Sequence, residues 1–162
     1  MTEPRWLNEQ ESRMWRAYLR MHRAVEVAID RQLSEAGISR PDYEVLVPLS
    51  EAEGRTLRVR YLATWLGWDR SRIAHQLRRM EQRGLITRSE CPTDARGTMV
   101  KLTDQGYAAV AAAAPGHVET IRNVLVDQLN QDEIAQLTAI AERVAAATGW
   151  SQLPHPGPVP ER

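Results

Sequence analysis

The sequence of 162 residues has a single cysteine, Cys91, so no disulfide can form within the chain. It has no uncharged apolar run of the length that a membrane-spanning helix needs. Its first residues lack the basic and then apolar layout of a secretory signal peptide. We therefore expect a soluble, cytoplasmic protein with no membrane partner. An apolar content of 43% is sufficient for one hydrophobic core.

The sequence also lacks the short motifs that mark common catalytic sites. It contains no G-x-S-x-G nucleophile motif, no G-x-G-x-x-G loop and no other phosphate-cradling loop. No pair of histidines has the spacing of a metal site, because they are scattered over His22, His75, His117 and His155. We predict that the chain is not an enzyme and needs neither a metal nor a cofactor.

The formal net charge is zero, but the charges are unevenly distributed along the chain. Residues 55–101 hold 11 of the 21 Lys and Arg and 4 of the 21 Asp and Glu, so this segment carries +7 and the remainder −7. A polyanion would be attracted to one part of the molecule and repelled by the rest. A chance clustering of solvated charges is the alternative explanation.

Hydrophobic periodicity predicts helices before and within the basic segment. A long amphipathic helix is expected over 10–36. A second helix starts near Ser39, which can cap it, and Pro48 is expected to kink or shorten it. A short helix over Val59–Leu66 is followed by a turn and by a helix over 69–83, which Asp69 caps.

A hairpin and two further helices are predicted after that point. Strands over 85–89 and 98–102 flank a turn-rich loop at 91–97. The sequence from Thr103 predicts an alanine-rich helix, with a kink or break at Pro115-Gly116, and a last helix with a capping-box start at 130–133 ends at Gly149. The proline-rich tail over 149–162 is predicted to be disordered.

The helix over 69–83 has two faces of different chemistry. Its buried face is predicted to consist of Ile73, Leu77 and Met80. Another face presents side chains able to bond bases or phosphates, namely Arg72, His75, Gln76 and Arg79. Ser71 lies near the helix start, where phosphate binding is favoured. An ordinary surface helix with a basic outer face is the alternative interpretation of the same stripe.

The segments "YLATWLGWDRSRIAHQLRRMEQRGLITR" and "DARGTMVKLTDQG" resemble the MarR family of bacterial winged helix-turn-helix regulators. Met80 stands where the family pattern usually has leucine, a conservative change. The resemblance covers about residues 10–148. The matching positions are Leu62-Ala63, Ser71, Glu81, Gly84-Leu85, Asp94, Arg96 and Leu102-Thr103-x-x-Gly106.

The resemblance implies a mainly α fold with a small β-hairpin wing (α+β). A winged helix-turn-helix over 39–102 would be flanked by dimerisation helices over 10–36 and 104–148. It also implies a transcriptional repressor that binds double-stranded DNA as a homodimer. Its pseudo-palindromic site would have half-sites about 10 base pairs apart. The broad apolar faces of the terminal helices agree with pairing, although those faces could also pack within one subunit.

Roles on DNA follow from this expected docking. The base edges would be read by Arg72, His75 and Gln76, and Ser71 and Arg79 would hold phosphates. Arg96 would enter the minor groove from the wing. Asp94 would orient an arginine, either Arg96 or one on the recognition helix.

Family members commonly lose DNA affinity when a small, often aromatic, molecule binds between the dimer helices and the winged unit. Residues that could line such a site are Trp15, Tyr18, His22, Tyr43, Trp65 and Trp68. For any one of them, a place in the core is the alternative. Two other interpretations stay open, which are a winged-helix module for protein contacts and a thiol-responsive regulator that uses Cys91.

Overall fold

The computed structural model describes residues 3–91 and 94–150, with side chains throughout except at 91 and 94–96. Short 3-10 turns at Glu53–Arg55 and Val126–Gln128 connect some of its elements. The described helices and strands are α1 (Glu9–Glu35), α2 (Arg40–Glu51), β1 (Thr56–Arg58), α3 (Val59–Leu66), α4 (Arg70–Gln82), β2 (Ile86–Cys91), β3 (Asp94–Leu102), α5 (Asp104–Val124) and α6 (Gln131–Ala147). The predicted mainly helical α+β architecture is confirmed.

Polar side chains at the helix starts explain where the helices begin. Asn8, Ser39 and Asn130 each form a capping box, in which the cap side chain and the N3 carboxylate each accept a backbone N–H. The Thr103 side chain accepts the N–H of Gly106 at the start of α5. The predicted starts of α2, α5 and α6 are therefore confirmed, because each depends on residues close in sequence.

The predicted break at Pro115-Gly116 is wrong, and α2 is not shortened at Pro48, because both prolines lie inside continuous helices. Pro48 is fully buried in α2, which runs on to Glu51, and Pro115 lies within α5. A proline inside a helix costs about 3 kcal/mol, which packing can offset. α5 packs against α1, and the Gln32 side chain donates a hydrogen bond to the Ala113 carbonyl at 3.3 Å. Tertiary contacts thus keep both helices intact.

The three strands form an antiparallel sheet in the order β1-β3-β2. Sequence reasoning missed β1, which pairs Thr56 with Lys101 and is too short for a recognisable alternation. The hairpin strands are longer than predicted, because β2 reaches Cys91 and β3 begins at Asp94. The backbone of residues 94–96 is therefore part of a strand, and the prediction that Asp94 and Arg96 lie in the loop is wrong.

One hydrophobic core joins the central segment to the flanking helices. Leu33 of α1 and Val110 and Ala113 of α5 belong to the same buried cluster as the apolar residues of α2, α3, α4 and the sheet. By contrast, α6 contains no buried residue, and most of α1 is exposed. None of the helices that the structure describes is long and apolar enough to cross a membrane.

Candidate nucleic-acid interface

The start of α4 is set by a turn and a cap. Gly67 ends α3 in the left-handed conformation, at a φ of 65°, and Asp69 then begins α4. The Asp69 carboxylate accepts the backbone N–H groups of Ser71 at 2.8 Å and Arg72 at 2.9 Å. The N–H of Arg72, followed by that of Ser71, holds the pKa of Asp69 below its ordinary value. Two short helices in close succession are thereby fixed in a helix-turn-helix arrangement.

The two predicted faces of α4 are present, with one exception. Ile73, Leu77 and Met80 are each no more than 1% exposed, as predicted. The opposite face, called the basic face here, is formed by the exposed residues Ser71, Arg72, His75, Arg78 and Arg79. Arg78 was not among the predicted site residues, although it follows the same spacing. The basic face can present hydrogen-bond donors to a groove of DNA.

The predicted base-reading role of Gln76 is contradicted by its position. Gln76 is 7% exposed, and its side-chain amide donates a hydrogen bond to Asp42 Oδ1 at 2.7 Å. A side chain held in this way cannot reach a base edge. Gln76 follows Ile73 by three residues and precedes Met80 by four. This spacing already indicated that Gln76 lies on the buried face of α4.

Asp42 is the internal partner that sequence reasoning missed. Its Oδ2 accepts the Ser39 N–H at 2.9 Å and the Arg83 guanidinium at 2.7 Å. Burial opposes ionisation, but these hydrogen bonds from Ser39 and Arg83 hold the pKa of Asp42 below its ordinary value. Asp42 therefore fixes α4 to α2 at two positions, because Gln76 lies within α4 and Arg83 caps its C-terminal end.

Seven of the ten arginines of residues 55–101 fall into two groups. In the first group, a nearby carboxylate engages the guanidinium. Arg55 contacts Asp104 at 3.4 Å, Arg83 contacts Asp42, and Arg88 Nε donates to Glu81 at 2.9 Å. In the second group, the exposed side chains have no ion-pair or hydrogen-bond partner among the described residues, and its members are Arg60, Arg70, Arg78 and Arg79.

Arg72 is held by an aromatic ring. Its guanidinium carbon lies 4.2 Å from the centroid of the Trp68 ring, and Trp68 is 8% exposed. A cation over an aromatic face gains about 0.5–1 kcal/mol at an exposed site. Trp68 therefore restricts the orientation of one cation on the basic face before any partner binds.

The comparisons with known proteins agree with this geometry. A family model described as the MarR family matches residues 38–98, from just before α2 into β3. AbsC, a MarR family transcriptional regulator from Streptomyces coelicolor, is 34% identical and has a TM-score of 0.86, over 90% of this chain and 99% of AbsC. The chain belongs to the MarR family. The predicted family is thus confirmed, and transcriptional regulation is its function at that level.

Two other solved structures, the first of them of a MarR family transcriptional regulator, extend the comparison. The regulator Sco3205 from Streptomyces coelicolor, solved in complex with DNA, is 38% identical with a TM-score of 0.85, over 89% of this chain and 91% of that one. CouR from Rhodococcus jostii RHA1, solved with p-coumaroyl-CoA, is 25% identical with a TM-score of 0.67, over 78% of this chain and 87% of CouR.

The six aromatic residues predicted to line a ligand site lie in three places. On exposed α1, Trp15 stacks on Tyr18 at 5.5 Å and Tyr18 on His22 at 6.0 Å between ring centroids. Tyr43 of α2 lies 4.4 Å from the His117 ring of α5, and burial lowers the pKa of His117. Trp65 and Trp68 belong to the helix-turn-helix itself. The described ring contacts therefore join Trp15, Tyr18 and His22 to one another and Tyr43 to His117.

Three predictions concern side chains or segments outside the described part. The side chains of Asp94 and Arg96 on the wing, and of Cys91, are outside it, so their assigned roles stay predictions. The tail over 151–162, predicted to be disordered, also lies outside the described residues.

Proposed function

We propose that this chain is a sequence-specific transcriptional repressor that binds a pseudo-palindromic DNA site as a homodimer. The observation that carries the proposal is the basic face of α4, where Arg78 and Arg79 project from the core without an internal partner among the described residues. The DNA-bound relative Sco3205, at 38% identity, supports the same class of ligand. A dimer on half-sites about 10 base pairs apart would block access to an overlapping promoter, which favours repression.

The roles on DNA are assigned from exposure and chemistry. Arg72 and His75 are proposed to read base edges, because both lie on the exposed side of α4 near its N-terminal half. Ser71 and Arg79 are proposed to hold phosphates, and Arg78 joins them. For the wing, Asp94 and Arg96 keep their predicted roles as an orienting carboxylate and a minor-groove cation. Gln76 is left out because Asp42 holds its amide.

Dimerisation is proposed from apolar surface that one chain leaves uncovered. Val144 is 59% and Ile140 48% exposed on α6, and Met14 is 60% exposed on α1. Exposed apolar patches of this kind mark association surfaces. Because these residues lie on the first and last helices, we assign the predicted dimerisation region to residues 10–36 and 104–148, apart from the winged unit over 39–102.

A small aromatic effector is proposed to lower DNA affinity. CouR, at 25% identity, has been solved with p-coumaroyl-CoA, and the stack of Trp15, Tyr18 and His22 offers this chain an aromatic surface on α1. The effector acts only if it prefers a dimer geometry that does not fit the operator. Titration with phenolic acids should quench tryptophan fluorescence in wild type and in Trp6→Phe, but much less in Trp15→Phe. Equal quenching in all three would place the ligand elsewhere.

The DNA-binding part is tested by a salt titration. Fluorescence anisotropy with labelled duplex should show that log K falls linearly as log salt rises, because bound phosphates release counterions. A module used only for protein contacts would not bind duplex even at low salt. In vitro transcription from a promoter that overlaps the site should fall as protein is added, and a rise would contradict repression.

A further inference from the structure

A cleft lined by arginines lies outside the basic face of α4. It has a volume of about 510 Å³ and lies where the starts of α3 and α4 meet β3. This volume is within the range of ligand sites in proteins. Its described lining residues are Arg58, Val59, Arg60, Ala63, Arg70, Ile73, Gly97 and Thr98.

Two of the positive charges that line this cleft, those of Arg60 and Arg70, have no carboxylate beside them among the described residues. Three arginines line it, and no acidic residue is among the described lining. The guanidinium groups of Arg60 and Arg70 belong to the group that has no described ion-pair or hydrogen-bond partner. Arg83 and Arg88, by contrast, each face a carboxylate. Like charges brought together repel, so an anion that enters the cleft gains from Arg60 and Arg70.

The position of the cleft indicates which anion it takes. Arg70 opens α4, and Gly97 and Thr98 belong to β3 of the wing, so the cleft lies between the two elements that are proposed to contact DNA. Gly97 has no side chain to fill the space on the β3 side. Exposed arginines hold a free monoanion weakly in water, but a phosphate in a strand that is bound elsewhere benefits from effective concentration.

We propose that this cleft binds one backbone phosphate of the DNA strand that passes between α4 and the wing. This inference rests on the proposed DNA-binding function. The contact carries no sequence information and sets the register of α4 on the duplex, as phosphate contacts do. Arg60 and Arg70 are positioning residues in this assignment, and Arg58 contributes charge.

The test compares two double variants of the full-length protein. Arg60→Ala/Arg70→Ala should make the slope of log K against log salt less negative by about 0.9 for each phosphate that the variant no longer neutralises. The decrease in affinity should be the same for a selected operator and an unrelated duplex. The control, Arg13→Ala/Arg31→Ala, removes equal charge from exposed positions on α1 and should leave the slope unchanged.

A third variant and a competition experiment separate the alternatives. Arg60→Lys/Arg70→Lys keeps the charge and should recover the wild-type slope, while circular dichroism checks folding of every variant. If the alanine variant has the wild-type slope, the cleft proposal is wrong although DNA binding stands. If wild type binds no duplex, the proposed function itself fails.

The other source of phosphoryl groups is a free phosphorylated molecule. Calorimetric titration of wild type with inorganic phosphate, and separately with pyrophosphate, should show no saturable binding at millimolar concentration. Stoichiometric binding that disappears in the alanine variant would assign the cleft to a free ligand and overturn the DNA contact.

Discussion

Arginine serves two opposite purposes within residues 55–101. Arg83 and Arg88 each face a carboxylate and contribute to the packing of the winged unit, whereas Arg78 and Arg79 extend from α4 without one among the described residues. For Arg83 the difference depends on an acid that is distant in sequence, since Asp42 is 41 residues away. The net charge of +7 for residues 55–101 is therefore larger than the positive charge that a polyanion can contact.

Two arginines of the basic face, seven residues apart, are predicted to affect DNA binding in different ways. Arg72→Ala should cost about 1–3 kcal/mol in DNA binding and relax specificity at one base pair, because its guanidinium reads a base edge. Arg79→Ala should weaken binding to all sequences alike, because its guanidinium holds a phosphate. Anisotropy titrations against an operator and its single-base-pair variants measure both effects. If both substitutions changed affinity uniformly, the base-reading role of Arg72 would be wrong.

Asp42→Asn is predicted to destabilise the fold rather than the DNA complex. It removes the charged acceptor of Arg83, and the absence of a hydrogen bond to a charged group costs about 1.5–3 kcal/mol. The lowered pKa of Asp42 means that its contribution is complete above the ordinary value of 3.8 and is lost as pH falls through the folded-state pKa. Urea unfolding should show the deficit at neutral pH and convergence with wild type in acid. A constant deficit at all pH values would contradict this account.

At the scale of elements, local signals were sufficient for the helix starts. Asp69 was predicted to cap α4 and Ser39 to cap α2, and both do so, because a cap involves residues two or three positions apart. The buried stripe of α4 was likewise predictable from its period. The winged helix-turn-helix could therefore be predicted from the sequence.

The features that could not be predicted from the sequence depend on interactions between elements that are distant in the chain. The spacing of Gln76 already indicated the buried face, but its hydrogen-bond partner Asp42, which lies 34 residues earlier, could not be predicted. The three residues of β1 become a strand only by pairing with β3. Pro115 stays inside α5, which packs against α1. For β1 and for Pro115, tertiary structure overrides the local preference.

The motif Leu102-Thr103-x-x-Gly106 has a steric explanation at the start of α5. A Cβ on Gly106 would lie 2.1 Å from the Leu85 carbonyl oxygen, and the Thr103 hydroxyl donates to the Gly84 carbonyl at 2.7 Å. Gly106→Ala should therefore destabilise the protein by about 1–3 kcal/mol, as overpacking does.

The matched control for this prediction is Gly116→Ala in the same helix. Its Cβ would meet the Gln32 side chain, whose amide nitrogen lies at 2.7 Å and donates to the Ala113 carbonyl, so that a side chain rather than backbone must shift. Thermal unfolding followed by circular dichroism should show a clearly larger loss of stability for Gly106→Ala. Equal losses in the two variants would contradict the steric explanation.

At the scale of the whole molecule, the terminal helices leave apolar surface that one chain does not cover. No residue of α6 is buried, although Ile140 and Val144 occupy one side of it. Light scattering should therefore show a dimer at micromolar concentration. Val144→Asp should weaken it, because a charge would be buried at the interface, and Ala135→Asp, at an exposed position on the opposite side of α6, should not. A stable wild-type monomer would contradict the proposed assembly.

The central claim is that two copies of α4 read a symmetric DNA site. The most direct measurement is selection of bound duplexes from a random pool by the wild-type protein, followed by sequencing. We predict a pseudo-palindromic consensus with half-sites about 10 base pairs apart, and loss of preference at one position in each half when Arg72→Ala is used. A pool without enrichment, or an asymmetric consensus that Arg72→Ala leaves unchanged, would contradict the claim.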